Sequence, residues 1–290
     1  MKKKFFVAVF ILLAGNAVAQ TTTAVAVDTS YWKKTGLVSV TFNQSAFNKE
    51  WTGGGIGNMN ANVLVNYNFN YQKGAYIWDN KVIADYGVSK INGTDSFVKN
   101  NDRLEMNSLV GKRSSEFWYY SSYANLKTQM SMSGDGRSHF FSPAYIQFGL
   151  GALWKKSENT HINIAPFASK TTLVNGRYTA TEDPDAFDAA GGYFGVKANK
   201  TVRFELGASV KAYYKINLMK NVTMENLLGL YTNYLEAPKN IDIDYTMNLV
   251  LVANKYISAN IVFQAIYDDN ANSNGFQVRE AFGLGIRAAF

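Results

Sequence analysis

The stretch that decides the fold is Ala281-Phe282-Gly283-Leu284-Gly285-Ile286-Arg287-Ala288-Ala289-Phe290. Read with a two-residue period, Phe282, Leu284, Ile286, Ala288 and Phe290 share one face of an extended strand, while Gly283, Gly285, Arg287 and Ala289 share the other. The same alternation recurs upstream and is clearest over residues 202–214, where Val202, Phe204, Leu206, Ala208, Val210, Ala212 and Tyr214 alternate with a face carrying Arg203, Glu205 and Lys211. A slip of one residue would turn those three charges toward the apolar side. In a bilayer each would cost about 2–4 kcal/mol near the midplane, so the register is strongly specified.

Twelve segments read this way, near 36–43, 61–72, 75–88, 102–112, 116–129, 144–155, 160–170, 201–215, 221–235, 241–253, 256–268 and 278–290. A dozen residues tilted by about 40° rise roughly 30 Å, the thickness of a bilayer core. The connections alternate in length: 43–60, 89–101, 130–143 and 171–200 are long, whereas Lys73-Gly74, Arg113-Ser114-Ser115, 156–159, 216–220 and Asn254-Lys255 are short. Outer-membrane barrels have short periplasmic turns and longer outer loops, and in hydrocarbon only a closed sheet satisfies its backbone. The expectation is an all-β fold: a transmembrane antiparallel up-and-down β-barrel of about twelve strands, with ten to fourteen compatible, in the outer membrane of a Gram-negative bacterium with both termini periplasmic. The terminal pattern of Phe282, Leu284, Ile286 and Phe290 resembles the signal that such barrels present to the barrel-insertion machinery, which is thereby an expected partner, as is outer-membrane lipid.

The front of the chain reads differently. Lys2 to Lys4, an apolar core from Phe5 to Leu13 and the small residues Ala17-Val18-Ala19 form a secretory signal peptide over 1–19, with Gln20 as the first mature residue. An uncleaved anchor is the alternative, but the apolar stretch is short of a membrane span. A periplasmic segment over 20–35 and a barrel over 36–290 complete the expected organisation.

Composition narrows the function. Losing Lys2 to Lys4 lowers the formal charge from +7 to about +4, too balanced for a nucleic-acid partner. With zero Cys, disulfides, thiolate catalysis and zinc–thiolate sites are excluded. The chain is 14% aromatic with a mean hydropathy of −0.16, unusual for a helical membrane protein and ordinary for a barrel whose faces alternate. Trp32, Trp78, Trp118 and Trp154 all fall at the N-terminal entry or beside a short turn, the pattern of an aromatic girdle; Trp51 breaks it.

Several stretches carry a resemblance. They are Trp32…Gly36, Trp51…Gly53-Gly54, Tyr71…Trp78-Asp79-Asn80, Arg103-Leu104-Glu105-Met106-Asn107, Pro143-Ala144-Tyr145, Phe194-Gly195-Val196, Asn233-Tyr234-Leu235 with Asn240-Ile241-Asp242, and Ile266-Tyr267-Asp268-Asp269. Together they resemble a domain-of-unknown-function family of bacterial outer-membrane β-barrels. The resemblance implies a barrel and an outer-membrane address, and no substrate.

The expected lumen face carries Arg103, Glu105, Arg203, Glu205, Lys211, Asp242, Asp244 and Arg287, four of each sign. Such balance argues against a strongly selective pore and for a narrow or self-cross-linked interior. A hydrolase would need a serine fixed beside a histidine base. Ser138-His139 with Asp135 lies in a loop, and His161 with Asn163 has no marked serine, so no catalytic residue and no enzymatic activity are expected. Glu182-Asp183-Pro184-Asp185 with Asp188, and Asp268-Asp269-Asn270 with Asn272 and Asn274, lack the spacing of a calcium loop, and neither a metal nor another cofactor is expected. Two functions remain ahead of the hydrolase: a structural or accessory subunit joined to other outer-membrane proteins, and a passive channel for small solutes.

Overall fold

The computed structural model describes residues 31–45, 57–94, 96–132, 136, 138–268 and 275–290. The expected signal peptide, most of the 20–35 segment, Trp51 with its glycines, Asp135 and the acidic loop beyond Asp268 lie outside the described residues.

Twelve strands follow one another: β1 (Trp32–Ser45), β2 (Asn58–Lys73), β3 (Tyr76–Ile91), β4 (Val98–Arg113), β5 (Trp118–Thr128), β6 (Ala144–Ser157), β7 (Thr160–Leu173), β8 (Val202–Met219), β9 (Val222–Asn233), β10 (Asp242–Val252), β11 (Ile257–Tyr267) and β12 (Gln277–Ala289). Each pairs antiparallel with its sequence neighbours, and β1 pairs with β12 from Leu37↔Ala289 to Phe42↔Leu284, so the sheet closes into an up-and-down barrel. Several strands outrun the sequence reading: β2 and β4 start earlier, at Asn58 and Val98, β3 and β7 end later, at Ile91 and Leu173, and β1 and β8 are longer too. β1 begins at Trp32, inside the expected N-terminal segment, because Trp32 to Thr35 pair with β2. β8 runs on to Met219, which shrinks the expected 216–220 connection to Lys220-Asn221. Polar residues at strand ends hide pairing that costs them nothing in water.

The turns are tight where the chain can adopt left-handed backbone: Gly74 (φ 57°) in the β2–β3 turn and Asn221 (φ 65°) in the β8–β9 turn. The longest connection, between β7 and β8, contains a short 3-10 turn (Gly176–Tyr178) and a one-and-a-half-turn helix α1 (Pro184–Ala189) capped by Asp183.

Large apolar side chains point outward. Phe148 is 46% exposed, Leu150 48%, Phe204 58%, Phe282 56% and Ile286 68%, while the intervening residues of the same strands are shielded. Soluble monomers rarely leave contiguous apolar patches beyond a few hundred Å². At the closing seam Gly36 and Phe290 exchange backbone hydrogen bonds of 2.6 and 3.0 Å, and the Phe290 ring lies over Gly36, where any Cβ would strike it.

Several glycines are packed against backbone, Gly207 and Gly151 most tightly. A Cβ at Gly207 would run into the carbonyl of Thr232 on β9, and one at Gly151 into that of Ile164 on β7. Gly207→Ala is therefore expected to lower the stability of the refolded barrel by about 1–3 kcal/mol, read from its urea-unfolding midpoint. Gly229→Ala, on the neighbouring strand and 3.7 Å from the nearest atom, is expected to leave the midpoint unchanged.

Candidate functional site

The interior of the barrel is where chemistry-bearing side chains converge, and its walls differ. Tyr119, Ser121 and Tyr123 on β5, Leu153 on β6, Asn163 and Ala165 on β7, and Glu205 and Ser209 on β8 all face inward and are buried. They form two apolar clusters, Ile77–Tyr119–Leu153 and Tyr123–Ala165–Ala168–Tyr231, with Leu109 packed against both. Asn163 donates to the Ser121 hydroxyl at 2.8 Å within this wall. Aromatic rings there bury enough area to form a core inside the barrel.

The opposite wall is more polar. Thr246 and Asn248 on β10, Asn260 and Gln264 on β11, and Asn66 and Asn68 on β2 face inward, interspersed with Val250, Val262 and Leu64, and are partly accessible. Along the inner face of β12, Ala281, Gly283 and Gly285 leave little side-chain volume between Arg279, which donates to Asn101 of β4, and Arg287. Bulky buried side chains thus concentrate on β5–β8, and amide side chains on β10, β11 and β2.

Ion pairs brace the packed side. At the loop end Arg203 bonds Glu205 at 2.9 Å and Glu236 at 3.1 Å. Lys170 sits among three carboxylates, with Asp242 at 3.2 Å and Glu205 and Asp268 each at 3.8 Å. Midway, Arg103 stands 3.8 Å from both Asp85 and Glu105, and Lys127 of β5 reaches across the interior to Asp244 of β10 at 3.9 Å. Lys211 lies over the Tyr123 ring at 4.3 Å. Toward the turn end Lys155 bonds Asp79 at 2.7 Å, and Lys215 bonds Glu225 at 2.7 Å. The carboxylates on the inner face of the strands each have a basic partner within 4 Å among the described residues, whereas Lys33, Lys81, Lys211, Arg279 and Arg287 have no acidic partner at that distance.

The residues singled out in the sequence come together in part. Arg103 with Glu105, and Arg203 with Glu205, are ion pairs; Asp242 and Asp244 join them through Lys170 and Lys127; Arg287 stands apart, in register with Ser39. The four-and-four inner face was incomplete. Lys81, Lys127, Lys155, Lys170, Lys215, Asp79, Asp85 and Glu225 also line the interior, so the charge that lacks a partner is basic. Lys170 was concealed by a bulge. The β7–β8 register shifts between Ala165 and Ala168, so Pro166-Phe167 reverses the facing of everything beyond it. Ile164 and Phe167, of opposite parity, both point outward, and Lys170 turns in. The signal available was the proline, which within a strand marks a bulge or an edge.

Of the tryptophans, Trp32 and Trp78 have ring centroids 5.6 Å apart, and Trp118 stands directly opposite Trp154. All four lie at the end of the barrel that carries the short turns. Phe282, Leu284 and Ile286 project outward from β12. His161 stacks on Tyr213 with centroids 5.0 Å apart, and His139 contacts Arg177 while Ser138 bonds Gln129. Asp183 and Asp188 accept backbone hydrogen bonds from Ala186 and Ala198, which gives them structural work in the β7–β8 loop.

Residues 42–133 match the model of a family described as "Protein of unknown function (DUF3078)". No curated protein matches the chain in sequence. Among solved structures, an outer membrane channel from Pseudomonas putida F1 is 8% identical with a TM-score of 0.41, the alignment covering 88% of this chain and 94% of that one. The translocator domain of the autotransporter NalP from Neisseria meningitidis is 8% identical with a TM-score of 0.36, covering 90% and 89%. OmpF of Salmonella typhi, in complex with daunomycin, is 8% identical with a TM-score of 0.32, covering 89% and 97%.

Proposed function

We propose that this protein is an integral outer-membrane barrel of the Gram-negative envelope, without enzymatic activity, whose interior is a narrow passive route for small polar solutes. Both termini face the periplasm in this reading, because they share an end with the short turns. The outward apolar face supports the membrane address, since it has no aqueous solution short of burial. The observation that supports the passive route is the inward, partly accessible row of Thr246, Asn248, Asn260, Gln264, Asn66 and Asn68 on β10, β11 and β2, facing the packed wall of β5–β8. Paired charges largely cancel, so the field in the interior comes from Lys33, Lys81, Lys211, Arg279 and Arg287, and anions are favoured over cations.

Purified protein in planar bilayers is expected to show small discrete conductance steps, with a reversal potential under a KCl gradient displaced toward chloride. Arg287→Glu, which inverts a partly accessible inner charge, is expected to move that potential toward potassium. Silence from protein shown to be inserted would sink the route. A second reading then stands on the Lys127–Asp244 pair, which spans the interior, and the two apolar clusters inside the barrel: an accessory subunit of an envelope complex, read out as co-purification of other outer-membrane proteins in gentle detergent.

A further inference from the structure

The outer face carries a feature that a conduit does not require. At the turn end Trp32 and Lys34 of β1 and Tyr67 and Phe69 of β2 line an open groove of about 400 Å³. The rings are organised: Trp32 stacks on Phe69 at 6.3 Å, Tyr67 on Phe69 at 5.9 Å, and Tyr67 on Phe290 at 6.4 Å. Lys34 stands directly opposite Phe69 in the β1–β2 register, on the outward side of the strand, and makes no ion pair among the described residues.

An outward lysine is out of place on a hydrocarbon-facing surface unless its ammonium reaches the phosphate level. The level is marked independently around the same rim. Lys73 lies over the Tyr31 ring at 4.7 Å, Lys112 over Tyr76 at 5.9 Å and Lys255 over Tyr256 at 4.7 Å, so lysine–aromatic pairs recur where the short turns are. Aromatic rings with lysines beside them are the composition of a membrane interface.

We propose that the groove is a binding site for one anionic glycerophospholipid of the periplasmic leaflet, its phosphate on the Lys34 ammonium and an acyl chain along Tyr67 and Phe69. Charge complementarity selects the occupant: an apolar slot with one cation and no acid fits a molecule that is apolar along its length and negative at one end. The inference rests on the membrane reading above and is independent of whether the interior conducts.

The test is native mass spectrometry of the refolded protein in detergent micelles with phosphatidylglycerol or phosphatidylcholine added at equal concentration. Wild type is expected to retain one phosphatidylglycerol in preference to phosphatidylcholine, and Lys34→Ala to lower that retention about fivefold, the worth of one lysine near an anionic head group. Lys33→Ala removes the same charge from the inward side of the same strand and is expected to leave retention unchanged. Equal retention of the two lipids, or equal loss in the two variants, would overturn the site. Heat-modifiable gel mobility establishes that each variant is folded, and Lys34→Gln replaces Lys34→Ala if the latter is not. Alkaline carbonate extraction of the protein from vesicles scores the membrane reading separately, so a barrel that inserts yet retains no lipid refutes the groove alone.

Discussion

Lys170→Met is expected to destabilise the folded barrel by about 3 kcal/mol, because it removes one member of a shielded ion cluster and leaves the others in place. The Lys170 side chain is 14% accessible and Glu205 3%, so neither is solvated enough for water to replace the missing charge. Asp242 loses its 3.2 Å hydrogen bond, Glu205 keeps only Arg203, and Asp268 loses a cation at 3.8 Å. Methionine is close to lysine in length, so packing against Tyr231, whose ring lies 5.3 Å from the ammonium, is largely retained and the loss is electrostatic. The measurement is the urea-unfolding midpoint of refolded protein at constant slope. A partner substitution checks the cause: Asp242→Asn in the Lys170→Met background is expected to restore part of the loss, since it removes a charge the cluster can no longer balance. An unchanged midpoint in Lys170→Met would mean that the cluster is hydrated in the folded state, and the packed wall would lose its electrostatic brace.

That cluster also shows where reading the sequence stops. Alternation located all twelve strands because a barrel wall between two solvents imposes a strict two-residue period, and a period is a local property. Arg203, Glu205, Asp242 and Asp244 could be placed inside on that basis alone. Lys170 could not, because the Pro166-Phe167 bulge reverses facing within β7, and a parity count carried from Thr160 puts it on the wrong side. The partners were out of reach for a different reason. Whether Lys127 meets Asp244 depends on the combined stagger of the strands from β5 to β10, a sum over the sheet that no single strand encodes. The uneven interior has the same origin. Tyr119, Tyr123, Leu153 and Tyr231 are ordinary inward residues one at a time, and only closure of the sheet gathers them into clusters facing the amide side chains of β10, β11 and β2.

Leu150→Arg, the second large effect, tests which solvent each face meets. Leu150 lies near the middle of β6, 48% exposed on the outer face and flanked by Ser122 of β5 and Phe167 of β7. In water an exposed leucine can be replaced by arginine with little change in stability. In a bilayer the same substitution places a guanidinium at the hydrocarbon midplane, at about 2–4 kcal/mol. Folding titrations in lipid vesicles are therefore expected to show a large loss for Leu150→Arg. Asn248→Arg on the inner wall is expected to fold with near-wild-type stability, because it projects into the polar interior opposite Glu225 and away from acyl chains. The two arginines are chemically identical and differ only in the side of the sheet from which they project. If both variants lose the same stability, or neither does, the outward apolar face is not facing acyl chains, and the passive route and the phospholipid groove fall with it.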